Sequence, residues 1–161
     1  MSSKSGFIDQ THIFRLRVYY EDTDAGGIVY YANYLKFAER ARTEVLRDLG
    51  VAQRELMETE GLAFAVRRCA ADYLAPARLD DELEVHSTVR ALANASIDIE
   101  QNIRRSDGVG ELVNITVKLA VINKNTGRPS RIPEDVSELL KPFVVHAEGE
   151  SSVNSHNKKR A

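Results

Sequence analysis

Two acidic residues sit where a strand pattern gives way to a helix pattern. The stretch Tyr19-Tyr20-Glu21-Asp22-Thr23-Asp24-Ala25-Gly26-Gly27-Ile28-Val29-Tyr30-Tyr31-Ala32-Asn33-Tyr34 passes from acids, through paired glycines, into the start of an apolar stripe. Paired glycines after an acid mark a tight loop. They also let backbone approach a ligand, because no side chain stands in the way. The first turn of a helix presents unpaired N–H groups at the positive end of its dipole. Such groups can hold a carbonyl oxygen that gains negative charge during acyl transfer, and one donor of this kind is worth ~3 kcal/mol of barrier. A carboxylate facing them across a gap could attack the carbonyl, or take a proton from an attacking water. A thioester needs nothing more, since thiolate is a good leaving group. Spacing leaves Asp22 and Asp24 both open for that role. If the strand continues, Tyr20, Asp22 and Asp24 share one face. The same residues also suit a plain solvated loop, since a helix dipole favours acids ahead of the first turn.

Other chemistries find little support. The four histidines, His12, His86, His146 and His156, do not pair at metal-ligand spacing, and there is no Cys-x-x-Cys. No phosphate-binding glycine motif and no Gly-x-Ser-x-Gly elbow occurs. No metal or other cofactor is therefore expected. A net charge of −2 over 161 residues gives no basic surface for nucleic acid. The one cysteine, Cys69, rules out an intramolecular disulfide and fits a reducing compartment. The first residues are polar and do not read as a signal peptide, and no apolar run approaches the ~18 residues of a membrane span. A cytoplasmic protein is the expectation.

The elements that must position the acids are legible as changes of period. Residues 1–11 read as a disordered leader, 12–144 as one domain, and 145–161 as a disordered tail. A strand is predicted from His12 to about Asp22. From Tyr30 to Leu49 the period is helical, with Tyr34, Ala38, Ala41, Val45 and Leu49 on one stripe and Gly50 as the stop. Val51 to Glu60 suits a short second helix, and Leu62 to Leu74 a strand. Three further segments alternate with period two: Leu83, Val85, Ser87 and Val89; Ile97, Ile99, Gln101 and Ile103; Val113, Ile115, Val117, Leu119 and Val121. Asn94 and Ser106-Asp107-Gly108 mark the turns between them. Pro133 to Leu140 fits a terminal helical turn or two. The fold class is α+β: one long helix laid across an antiparallel sheet. An uncovered face and edge then call for a second copy of the chain.

These residues resemble the 4-hydroxybenzoyl-CoA thioesterase family of hotdog proteins, and within it the Tol-Pal-associated, YbgC-type acyl-CoA thioesterases. The resemblance is carried by Val18 to Tyr30, by Glu39-Arg40-Ala41-Arg42-Thr43-Glu44, and by Tyr73-Leu74-Ala75-Pro76-Ala77-Arg78-Leu79-Asp80-Asp81. It spans about Phe14 to Phe143. It implies a hotdog fold, with a long helix wrapped by a curved antiparallel sheet. It implies homodimers pairing into homotetramers, with active sites at the dimer interface. It implies hydrolysis of acyl-CoA, or of acyl carried on acyl carrier protein. Asp24 matches the family's catalytic aspartate, and Tyr20 a tyrosine lining the same site. The backbone of Gly27, Ile28, Val29, Tyr30 and Tyr31 matches the segment that polarises the thioester carbonyl. Phe64, Ala65 and Val66 would line the acyl pocket from the neighbouring subunit. The YbgC-type pattern usually has histidine where this chain has Tyr31. Tyrosine donates a hydrogen bond but is a poor general base near neutral pH, its ordinary pKa being ~10. A non-catalytic scaffold that binds acyl chains or acyl carrier protein at the cell envelope is the competing expectation. An enoyl-CoA hydratase ranks below both, since no histidine lies near Asp24 in the sequence.

Overall fold

The structure, a computed structural model, describes residues 4–146. Six strands form one antiparallel sheet: β1 (Ser5–Ile8), β2 (Thr11–Arg17), β3 (Leu62–Tyr73), β4 (Glu82–Leu92), β5 (Ser96–Arg105) and β6 (Glu111–Asn123). Their spatial order is β1-β2-β4-β5-β6-β3. The long helix α1 (Asn33–Asp48) lies between β2 and β3 in the chain. A short turn of helix, α2 (Gln53–Glu55), runs on into a π turn at Leu56–Glu60, and α3 (Glu134–Leu140) follows the last strand. No helix among the described residues is long and apolar enough to cross a membrane.

The period-two segments form the three central strands. Register sets Val85 beside Ile103 and Ile103 beside Val113, and sets Val89 beside Ile99 and Ile99 beside Val117. These rows are buried, so one face of the sheet is a continuous apolar surface. Helix α1 covers it with Tyr34, Phe37, Ala38, Ala41 and Leu46. Ser87 and Gln101 fall on the same buried face. Gln101 Nε2 donates to Ser87 Oγ at 3.0 Å and to the Ala38 carbonyl at 2.9 Å. Arg42 Nη1 donates to Gln101 Oε1 at 2.9 Å. Buried polar groups persist when paired in this way. Burial holds the Arg42 guanidinium below its usual pKa.

Gly50 ends α1 as its position suggests. Its φ of 88° is left-handed, Gly50 N–H donates to Arg47 O at 3.0 Å, and Val51 N–H to Leu46 O at 2.8 Å. This pair of bonds is a Schellman motif, which glycine adopts at little steric cost.

Three expectations need correction. The leader is not without structure over its described part: Ser5–Ile8 forms β1, paired with Thr11 to Phe14. Asp9, at φ 53°, turns the hairpin. Phe7 packs against the rings of His12 and Phe143, with centroids 4.9 Å and 4.2 Å away. Second, the strand expected to reach Asp22 stops at Arg17, and Tyr20–Asp22 makes one turn of 3-10 helix. Tyr20, Asp22 and Asp24 are therefore not alternate residues of one strand. Third, Val145 is tied to the sheet: its N–H donates to Val89 O at 2.8 Å. From residue 147 onward the expected tail lies outside the described residues.

Candidate active site

Asp24 opens a tight loop between the 3-10 turn and α1. Gly27 N–H donates to Asp24 O at 3.0 Å, and Asp24 N–H to Ile28 O at 2.8 Å. Gly27 takes a left-handed φ of 77°, where a side chain would strain the backbone. Thr23 and Val29 bridge across the base of the loop. Beyond it, Val29 N–H donates to Ala77 O at 2.9 Å, stitching the loop to the segment after β3. Arg105 supports that segment from below. Its Nη2 donates to Pro76 O at 2.8 Å, and its Nε to Asp81 Oδ2 at 3.1 Å.

The two carboxylates have different surroundings. Asp22 Oδ2 accepts the Tyr19 N–H at 2.8 Å, closing the 3-10 turn. Asp24 Oδ1 accepts the Gly26 N–H at 2.8 Å. Among the described residues, Asp24 Oδ2 takes no hydrogen bond. Neither acid caps α1, whose N-cap Ala32 carries no side-chain cap. The simple capping role is thus absent. Asp24 is exposed, so the described residues do not enclose it in a pocket.

The amides between the loop and α1 divide into engaged and open. Gly27, Val29 and Tyr30 N–H groups are bonded within the chain, the last to Asp22 O at 3.0 Å. Among the described residues, the Ile28, Tyr31 and Ala32 N–H groups have no acceptor. Of the five amides from Gly27 to Tyr31, those of Ile28 and Tyr31 are thus without an acceptor among the described residues, and so is that of Ala32 after them.

Aromatic rings crowd this end of the chain. Tyr30 and Tyr31 have centroids 4.9 Å apart, Tyr31 and Tyr73 6.0 Å, and Tyr34 and Tyr73 5.9 Å. The neighbouring Tyr31 hydroxyl holds the Tyr30 phenol above its usual pKa, and partial desolvation does the same for Tyr73. Tyr20, Tyr30, Tyr31, Tyr73, Leu74 and Leu79 are all exposed. In the sequence Tyr73 stood near a strand end before Pro76 and opened one of the motifs that carry the resemblance, with nothing to set it near Tyr31. Its place beside Tyr31 depends on the pairing of β3 with β6.

Phe64, Ala65 and Val66 do not join this cluster within one chain. They lie on β3 seven or more residues before Tyr73, which is ~23 Å or more along a strand. Strand β3 is an edge of the sheet. Val66, Arg67, Arg68, Cys69 and Ala70 are exposed in succession, so neither face of this stretch is covered by the described residues. Among the described residues no cluster of histidine, cysteine and acidic side chains has the makings of a metal site.

Comparison with known proteins agrees with this geometry. The model of the thioesterase-like superfamily matches residues 18–140, and the chain belongs to that superfamily. The acyl-CoA thioesterase YbgC of Haemophilus influenzae is 45% identical over 129 residues, covering 80% of this chain and 93% of its own. The acyl-CoA thioester hydrolase YbgC of Escherichia coli O157:H7 is 42% identical over 129 residues, covering 78% and 94%. A probable thioesterase from Bartonella henselae, 40% identical, has a TM-score of 0.72 over 76% of this chain and 99% of its own. These likenesses make the protein an enzyme of the YbgC type, an acyl-CoA thioesterase with the hotdog fold.

Proposed function

We propose that Asp24 carries the hydrolysis of acyl-CoA to free acid and CoA, acting as nucleophile or as general base toward water. The observation that carries this reading is the state of its carboxylate. One oxygen is fixed by Gly26 N–H and the other takes no hydrogen bond among the described residues, on a loop anchored directly before α1. The open amides of Ile28, Tyr31 and Ala32 are the donors for the carbonyl oxygen as it becomes an oxyanion. Tyr20 and Tyr31 supply hydroxyl and ring contacts, with Tyr31 as a donor and not a proton shuttle.

The remaining wall comes from a second copy of the chain. Two β3 strands pairing antiparallel about their midpoint would bring Phe64, Ala65 and Val66 of the partner subunit beside the Tyr73 end. Exposure along β3 and around the tyrosines supports this dimer, and dimers pairing into tetramers extend it. Both acyl-CoA and acyl carried on acyl carrier protein suit such a site, and a cytoplasmic setting fits the exposed free thiol of Cys69.

A panel of short-chain, long-chain and aromatic acyl-CoA esters, followed with a thiol-detecting reagent, tests the function. Release of CoA from at least one class at a useful rate is expected. Measurable binding with no release from any ester would favour the acyl-binding scaffold instead.

A further inference from the structure

The first turn of α1 grips both stems of the Asp24 loop. On one stem, Asn33 Nδ2 donates to the Asp22 carbonyl at 2.9 Å, the same oxygen that accepts Tyr30 N–H. On the other, the Tyr34 hydroxyl accepts Ala77 N–H at 2.9 Å, and Ala77 O in turn accepts Val29 N–H at 2.9 Å. Tyr34 and Ala77 are both buried, so water cannot replace the hydroxyl as acceptor. Asn33 and Tyr34 are adjacent in sequence, yet they hold opposite ends of the loop.

We propose that Asn33 and Tyr34 are positioning residues that fix the Asp24 carboxylate and the open Tyr31 amide in one rigid frame. This rests on the reading of Asp24 given above. Neither side chain touches the reacting atoms. Their effect passes through Asp22 O on one side, and through Ala77 and Val29 on the other. Freeing either stem lets the acid and the amides move relative to each other, and a misplacement of ~1 Å can cost ~100-fold in rate.

The test is Tyr34→Phe, which keeps the ring and removes the acceptor. Amide hydrogen exchange at Val29 and Ala77 should quicken at least tenfold, while Ile99 and Val117 in the central strands keep their rates. Turnover of the best acyl-CoA ester should fall about tenfold in kcat with KM within twofold. Asn33→Ala should act likewise on exchange at Tyr30. Ile103→Val serves as a control, losing stability in the core without altering loop exchange or kcat. Unchanged exchange at Val29 and Ala77, or a kcat loss equalled by the control, would overturn the clamp. Asp24→Asn measured alongside separates the two readings. If that variant is inactive while Tyr34→Phe matches wild type in exchange and kcat, the clamp alone falls. If Asp24→Asn turns over normally, the Asp24 reading falls and takes the clamp's role in catalysis with it.

Discussion

A Cβ added to Gly26 would lie 3.2 Å from Asp24 Oδ1, closer than side chains normally approach. The amide of the same glycine holds that oxygen at 2.8 Å. Gly26 therefore does two things for Asp24: its N–H orients the carboxylate, and its missing side chain leaves the space the carboxylate occupies. Unlike Gly27, it has no left-handed φ to explain its presence. Gly26→Ala should leave the melting temperature within a few degrees of wild type and lower kcat about tenfold by turning the acid away. Steady-state kinetics with parallel thermal unfolding would check this.

Tyr34 predicts an alkaline limit to stability. Burial raises its phenol above the ordinary range, against a smaller opposing pull from the Ala77 N–H. A raised folded pKa means that the folded state keeps its proton where the unfolded state, near ~10, releases it. The stabilisation is whole below that unfolded value and is lost as pH rises through the folded one. Urea midpoints of wild type should thus decline from about pH 10 upward. Tyr34→Phe should decline less steeply over the same range, and equal slopes would remove Tyr34 as the cause.

Strand β3 predicts that oligomerisation and activity fail together. Val66 is 52% exposed on an edge strand whose neighbours are exposed as well. Val66→Lys should add positive charge beside Arg67 and Arg68, already gathered from both copies in a paired β3, and resist burial there. Sedimentation should show a shift toward monomer, with far-ultraviolet circular dichroism unchanged and CoA release down at least tenfold. A variant that stays oligomeric and active would place the interface elsewhere.

Much of this architecture is written in local patterns. The alternation from Leu83 to Val121 gave the buried face of three strands, including the phase that buries Ser87 and Gln101. The helical stripe and Gly50 gave α1 and its end. What escaped the sequence depends on distant contacts. Ser5 to Ile8 has only Phe7 and Ile8 to mark it as a strand, and it is held by Phe143 and by the bond from Ser5 Oγ to Asp48 Oδ2 at 2.9 Å. Asp22 and Asp24 look alike in spacing. They differ because the chain turns at Tyr20 and brings Asp22 onto Tyr19 N–H. Which amides remain open was equally hidden, since Val29 is engaged by Ala77, 48 positions along the chain. The roles of Asn33 and Tyr34 were hidden for the same reason. In sequence one is a residue at a helix start and the other a member of an apolar stripe.

The most direct measurement is single-turnover release of CoA by wild type and by Asp24→Asn, with the best ester from the panel. Loss of the acid should slow release by ~100-fold to 10,000-fold, the range typical of a removed base, while the fold and ester binding persist. Release at the wild-type rate from a folded Asp24→Asn protein would contradict the assignment.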